Sequence, residues 1–393
     1  MEFTVGCNWD ERLMDVAAAH GVEELFGKLP NDPFGGGRAA FMTSHVNEAY
    51  VRKYISRLHE RGIRFNYLLN GSCFDNIEYT RKGQKRFRRF FDWLAEIETD
   101  WVTLANPFLA GMLKRHYPDI KVAVSVLARV QSVTEARYWE DLGADCVILL
   151  KGRNFPLIRA IREHCEIDLE VIANLVCLHD CPLATYHGVV STHASQSWHP
   201  SGGFVLPWCE MVCTLKKLAE PREIIASPWI RPEDQHHYEN AGVRRLKIVD
   251  RCASTEYMEE ILAAYRVRKS PENLADILPG LRPAKPGQVS NTKKFAYFFR
   301  PLSYNLFMAK KLKDAPMRPA VRIDSAALEG FIDHFLDHDC TLASCERCGY
   351  CQRVAERVLH MNGQEREAMA AHYREILDDL EDGGFFSYLG PMG

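Results

Sequence analysis

Two pairs of cysteines in the middle of the chain are the residues best suited to hold a metal. Cys177 and Cys181 form one C-x3-C pair, and Cys209 and Cys213 form a second one. Four thiolates suit either tetrahedral zinc or an iron–sulfur cluster, because soft sulfur ligands select those metals. Zinc ribbons more often pair cysteines two residues apart, so the three-residue gap favours a cluster while leaving zinc open.

A second group of four cysteines lies near the C-terminus, at Cys340, Cys345, Cys348 and Cys351. The short gaps resemble the tight spacing of bacterial ferredoxin clusters. A zinc knuckle that staples two helices is the alternative. The sequence therefore predicts a second metal site, holding either a 4Fe-4S cluster or zinc.

Polar residues near the first two pairs are candidates for catalysis and binding. His187 and His193 lie between the pairs and are candidates for proton transfer or substrate contact, although each could equally serve a structural role. The glycine-rich loop that carries Lys28 and Arg38 could hold an anion through its amides and these cations. A plain surface turn is an equally good interpretation of that loop.

Length, cysteine count and net charge indicate where the protein works and which partners are disfavoured. The chain has 393 residues, 13 of them cysteine, and a formal net charge of −3. A large chain with no recognisable secretory signal uses cysteines for metals or catalysis more than for disulfides, so we expect a cytoplasmic location. The balanced charge disfavours nucleic acid as a partner. No apolar run approaches the length of a membrane span.

The elements that must position these residues alternate between apolar strand-like runs and amphipathic helix-like segments, which is typical of βα units. This alternation over residues 1–268 predicts an α/β fold with a (β/α)8 TIM-barrel-like main domain. Nine candidate strands are one more than the barrel needs. They are Phe3–Cys7, Glu24–Gly27, Phe65–Leu69, Trp101–Ala105, Val122–Leu127, Cys146–Leu150, Leu169–Leu175, Ile224–Ser227 and Leu246–Val249. The helix-like segments are Glu48–Arg61, Gln84–Ile97, Val133–Leu142, Pro156–His164 and Ser254–Val267.

The remainder of the chain consists of two segments that differ in composition. Residues 269–323 are rich in proline and basic residues, which predicts a linker or a wrapping segment. Residues 324–393 read as a small helical, cysteine-rich C-terminal region that ends in a charged helix near Gln364–Leu380.

Several motifs together resemble the peptidase U32 family. They are Val102–Ser125, Trp139–Cys146, the pair Cys177 and Cys181 followed by Pro182, His193–Gln196, Trp208–Cys213 and Leu246–Arg251. The resemblance covers most of residues 1–268, and the C-terminal cysteine group resembles an extension found in some members.

This resemblance implies a 4Fe-4S cluster held by four barrel cysteines. It also implies hydroxylation without molecular oxygen, on ubiquinone precursors, transfer RNA or ribosomal RNA, with prephenate as an oxygen source. In some branches the last ligand lies far downstream, where this chain has Ile225–Trp229 and no cysteine. Cys213 is then the expected fourth ligand, and Cys73 its replacement.

The leading functional hypothesis is an iron–sulfur redox enzyme that adds oxygen to a small molecule or a peptide. A U32-type, collagenase-like peptidase is the first alternative, although the sequence has neither an H-E-x-x-H nor a G-x-S-x-G motif. A non-catalytic electron-transfer or scaffold partner of a related U32 protein is the second.

Overall fold

The computed structural model describes residues 1–282, 299–300, 304–306, 311–312 and 320–386. Eight parallel strands close into a barrel, with β8 pairing back onto β1. This confirms the predicted (β/α)8 architecture. The strands are β1 Glu2–Gly6, β2 Glu24–Gly27, β3 Arg64–Leu69, β4 Trp101–Leu104, β5 Lys121–Val124, β6 Cys146–Leu149, β7 Asp168–Ile172 and β8 Arg245–Ile248.

Helices surround the barrel, and the five helix-like segments of the sequence are all helical. Asparagine, serine or threonine caps six of the barrel helices by accepting a backbone N–H, as Asn47 and Ser132 do. The helices over this part are α1 Arg12–Ala19, α2 Glu48–His59, α3 Arg81–Glu96, α4 Pro107–His116, α5 Val133–Asp141, α6 Phe155–His164, α7 Ala184–His193, α8 Trp208–Ala219, α9 Arg222–Ala226, α10 Gln235–Asn240 and α11 Thr255–Val267.

The predicted strand Ile224–Ser227 is wrong, since most of it lies in the short helix α9. A brief buried apolar run has no period that separates a strand from a helix. Pro221 directly before α9 favours a helical start, because its ring fixes φ near the helical value. Removing this segment leaves eight strands, the number that the barrel requires.

Polar side chains fill part of the barrel interior. Glu24 pairs with Arg245, and Asn66 donates to Glu24 at 2.9 Å and accepts from Thr103 at 2.8 Å. Burial raises the pKa of Glu24, and the positive charge of Arg245 opposes that effect. Buried charges of this kind are tolerated only when they are paired and hydrogen-bonded.

The C-terminal region packs directly on the barrel. Phe331, Phe335 and Val358 belong to the same hydrophobic cluster as the barrel core. The region adds a two-stranded sheet, β9 Arg322–Ile323 with β10 Leu359–His360, and the helices α12 Asp333–Asp337, α13 Cys345–Cys348, α14 Tyr350–Val358 and α15 Gly363–Glu381. The predicted helical character of this region, including the charged last helix, is confirmed.

The first part of the predicted linker wraps the barrel, with Leu274, Ile277 and Leu278 buried. Pro283, Pro286, Pro301, Pro316 and Pro319 of the same segment lie outside the described residues. The domain boundaries at residues 268 and 323 stay a prediction. Within the described ranges, no helix combines the length and apolar character needed to cross a membrane.

Candidate functional site: the thiols at the mouth of the barrel

The loop after β7 carries Cys177 and Cys181. Strand β7 ends at Ile172, so both cysteines follow at the carboxyl end of the barrel, where the loops of this fold build active sites. The Lys217 ammonium on α8 donates a hydrogen bond to the Val176 carbonyl and ties this loop to α8. The barrel strand and the helix thereby position the first pair together.

Helix α8 carries Cys209 and Cys213 one turn apart, so both lie on one face. Met211 and Leu218 lie on the opposite face and pack against Tyr373 and Ile376 of α15. The C-terminal helix therefore supports α8 from behind, while the front of α8 carries the cysteines.

The four thiols lie close enough to influence one another electrostatically. Burial raises the pKa of Cys177 to about 11, with Lys217 opposing and Cys213 and Cys181 adding to the rise. Burial also raises the pKa of Cys209 to about 11. The structure thus brings the four predicted ligands together and keeps at least these two thiols protonated at neutral pH in the absence of a metal.

A carboxylate–imidazole pair stands beside these thiols. His187 Nε2 lies 3.2 Å from Glu210 Oε1, and Glu210 is the residue after Cys209. Burial raises the pKa of Glu210, but the hydrogen bond from His187 and the charge of Arg38 outweigh it, and the net pKa is lowered. His187 is therefore placed where it can hold a proton next to the thiol set.

His193 belongs to a different group. Its Nε2 lies 3.5 Å from Asp75, and its ring stacks on His199 with centroids 4.3 Å apart. The Cys73 thiol donates to Asp75 at 3.6 Å, and one ligand atom each from Cys73, Asp75 and His193 lies within 4.8 Å of the others. The structure therefore groups His193 with Cys73.

Cys73 is poorly suited to act as a nucleophile. Burial raises its pKa, and the hydrogen bond and charge of Asp75 add to the rise. Catalytic cysteines instead have lowered pKa values, because the thiolate is the reactive form.

The two cations of the predicted anion-binding loop, Lys28 and Arg38, lie in different surroundings. Lys28 is buried and forms an ion pair with Asp32 at 2.9 Å. Its charge is balanced inside the protein, and contact between Lys28 and an anion stays a prediction. Arg38 lies 3.0 Å from Asp250, is about one-third exposed, and stays a candidate.

The four C-terminal cysteines line one solvent-open cavity with an empty volume of about 550 Å³, together with His179, His334 and His338. Cys348 Sγ lies 3.6 Å from His334 Nε2, and ligand atoms of His334, His338 and Cys348 lie within 4.8 Å of one another. This arrangement can hold a metal with mixed sulfur and nitrogen ligands. The two histidines do not follow from the cysteine pattern, although their four-residue spacing places them on one side of a helix and was the available signal.

A buried arginine lies beneath this cavity. Arg153 donates to the carbonyls of Ile225, Ala226 and Ser227, yet its Nη1 atom is buried without a hydrogen-bond partner among the described residues. Burial lowers the pKa of Arg153, and the nearby Cys351 and Cys340 oppose that effect. A negatively charged metal–thiolate group in the cavity would satisfy this cation.

His179 links the two cysteine groups. It lies between Cys177 and Cys181 in the sequence, lines the C-terminal cavity, and also lines a second cavity formed by Arg129, Lys151 and the first cysteine pair. Burial lowers the pKa of His179. The two candidate metal centres are therefore neighbours at the same end of the barrel.

These features define a (β/α)8-barrel protein with two thiol-rich candidate metal sites at its carboxyl end. Residues 13–180 match the model of peptidase family U32, so this part of the chain is similar to that family. The solved structure of the U32 peptidase Mk0906 has a TM-score of 0.50 at 20% identity, covering 64% of this chain and 93% of that one. This likeness confirms the fold.

Among relatives, an uncharacterized protease of Methanocaldococcus jannaschii is 25% identical over 327 residues, covering 83% of this chain and 85% of that protein. The 23S rRNA 5-hydroxycytidine C2501 synthase of Escherichia coli is 24% identical over 163 residues, 40% of this chain and 24% of that enzyme. The tRNA hydroxylation protein P of Haemophilus influenzae is 21% identical over 162 residues, 41% of this chain and 33% of that protein. This chain thus spans a third or less of either hydroxylation protein.

Proposed function

We propose that this protein is an iron–sulfur-dependent redox enzyme that hydroxylates its substrate without molecular oxygen, with an organic donor such as prephenate as the source of the oxygen atom. The observation that carries the proposal is the set of four thiols at the mouth of a U32 barrel, beside cations and an imidazole–carboxylate pair. The distant hydroxylation relatives support the reaction class.

The four thiols fit a cluster better than they fit zinc. Four sulfurs at about 2.3 Å from a tetrahedral zinc are only about 3.8 Å apart. In the described part of the chain, the groups with three ligand atoms within 4.8 Å lie at His334 and at Cys73, and neither includes the barrel thiols. No three of the barrel sulfurs therefore lie at the spacing of one tetrahedral ion, and we infer that Cys177, Cys181, Cys209 and Cys213 hold a larger, multinuclear group.

The surrounding residues suit a negatively charged cofactor. Lys217 and Arg38 lower the pKa of Cys177 against the larger effect of burial, so both favour a negatively charged sulfur. A bound 4Fe-4S cluster would supply one-electron transfer at this site. His187 would hold or release a proton at Nε2, with Glu210 fixing the orientation of its ring.

The peptidase alternative receives less support. A cysteine peptidase needs a thiolate beside an imidazole that a third group orients. Cys73 and His193 are close, but Asp75 contacts both, and the Cys73 thiol is held neutral. Peptide hydrolysis by a protein free of iron and sulfide would favour this alternative.

The proposed substrate is a small molecule or a peptide, and a specific surface favours RNA as a second candidate. Helix α3 carries six cations that make no ion pair within 4.0 Å to another described residue, namely Arg81, Lys82, Lys85, Arg86, Arg88 and Arg89. Beside its start, Tyr79 is 68% exposed and Phe108 is 38% exposed, with ring centroids 5.3 Å apart. Basic residues next to exposed aromatic rings are typical of single-stranded RNA binding.

The test of the cofactor is anaerobic purification of the full chain with iron and sulfide counts. We expect Cys209→Ala to lose the barrel cluster and Cys348→Ala to change only the metal content of the C-terminal site. Cys165→Ala is the matched control, because Cys165 is an equally buried cysteine in the apolar core. Iron and sulfide counts that are the same in wild type, Cys209→Ala and Cys165→Ala would contradict the assigned ligands.

A further inference from the structure

Arg251 is a buried guanidinium that the proposed chemistry does not use. It follows β8 by three residues and therefore lies at the mouth of the barrel, and it is only 8% exposed. No carboxylate lies within 4.0 Å of it, and no hydrogen bond from its side chain exists, within the described part of the chain. A buried charge without a partner is strongly unfavourable, so the protein must retain it for a reason other than stability.

Two ion pairs lie close to Arg251. Lys28 pairs with Asp32 at 2.9 Å, and Arg38 pairs with Asp250 at 3.0 Å. Asp250 also favours the charge on Arg251 from beyond ion-pair distance, so among the described residues these two guanidiniums share one carboxylate. Arg38 adds like-charge repulsion, since its guanidinium is close enough to disfavour the charge on Arg251.

Arg251 lies near the candidate cluster thiols. Arg38, the neighbour of Arg251, is also close enough to act on Cys177 and Glu210. An anion held between the two guanidiniums would therefore lie next to the candidate cluster site. Because Arg251 is nine-tenths buried, only the terminal group of a small molecule can reach it, and the backbone of a folded RNA cannot.

We propose that Arg251 and Arg38 form a binding site for a small organic anion that presents a carboxylate or a phosphate group. A guanidinium donates two parallel hydrogen bonds to such groups, which gives both strength and orientation. The existence of the site rests on the structure alone. The role of the anion as a reactant rests on the proposed redox function.

The test uses the full chain, with succinate, inorganic phosphate and the neutral analogue succinamide as probes in calorimetry and thermal unfolding. We expect succinate or phosphate to bind and to raise the Tm, and succinamide to do neither. Arg251→Met should weaken anion binding on the order of tenfold to a hundredfold, as expected for a charged hydrogen-bonded pair. Its Tm without ligand should be equal to or above that of wild type, because an unpaired buried charge is removed.

Two further variants make the result decisive. Arg251→Lys keeps the charge but not the planar fork, so it should fold normally and bind the anions more weakly than wild type. Arg244→Met changes an exposed arginine at the other end of β8, and it should leave anion binding unchanged.

The proposal is overturned if wild type binds neither anion, or if Arg251→Met binds them as wild type does. It is also overturned if Arg251→Met lowers the ligand-free Tm while the anion-induced shift persists, because Arg251 would then be structural. Iron and sulfide are counted in every sample. If the protein lacks the cluster but still binds the anions, the proposed redox function is contradicted and the proposed anion site is still supported.

Discussion

The reactivity of Cys177 and Cys209 separates a metal-binding site from a nucleophilic one. The perturbation is a short pulse of iodoacetamide at neutral pH, applied to full-length protein from which metal has been removed under anaerobic conditions. Alkylation requires the thiolate, so its rate reports the fraction of each cysteine that is ionised. Mass spectrometry of the digested protein gives the rate for each residue.

The expected magnitude follows from the pKa values. Burial raises the pKa of both thiols from 9.0 to about 11, so each has about a hundredfold less thiolate than an ordinary cysteine at neutral pH. A thiolate of higher pKa is intrinsically more nucleophilic, by roughly sixfold to tenfold over two pKa units. We therefore expect alkylation to be at least about tenfold slower than for a free peptide thiol.

The pH dependence carries the same information with a definite sign. Because the folded pKa is raised, the proton is retained above pH 9, and the alkylation rate should keep rising until about pH 11. Lys217→Met removes a charge that favours the thiolate, so it should slow Cys177 further. Alkylation of Cys177 or Cys209 faster than a peptide thiol would refute this reasoning and favour an activated nucleophile.

Two other predictions concern the support and the proton chemistry of the site. Leu218→Ala, on the buried back of α8, should lower the free energy of unfolding by about 2–5 kcal/mol in urea denaturation, whereas Lys216→Ala on its exposed side should change it by less than about 0.5 kcal/mol. Equal effects of the two variants would show that α8 is not held by this contact. His187→Gln should retain iron and sulfide but lower anaerobic product formation per cluster by about a hundredfold or more. His193→Gln is its companion variant, and unchanged turnover in either one removes that histidine from the catalytic candidates.

The strands could be predicted because each is a short apolar run set apart by turns and amphipathic helices. The one error, Ile224–Ser227, arose where an apolar run was too short to show a period. Cysteine spacing likewise predicted both thiol groups, since paired thiols are rare outside metal sites. Local sequence patterns were therefore sufficient to predict most of the fold and both groups of neighbouring thiols.

The missed residues are single polar side chains whose role depends on distant neighbours. Arg251 and Arg38 come near each other because the barrel closes β8 onto β1, beside the loop after β2. His179 was visible in the sequence between two cysteines, but its place between two cavities depends on the packing of the C-terminal region. His193, a candidate for proton transfer, lies close to Cys73 and Asp75, which are far from it in the sequence.

The support of α8 by α15 also constrains the order of events during biosynthesis. Cys209 and Cys213 leave the ribosome well before Gly363–Glu381, which covers the apolar back of their helix. Until that last helix is made, the apolar face of α8 lacks its cover, and the hydrogen bond from Lys217 to Val176 is left to hold the helix against the loop after β7. We therefore expect a cofactor to be inserted only after translation of this region, into a chain that has already folded onto its own C-terminal helix.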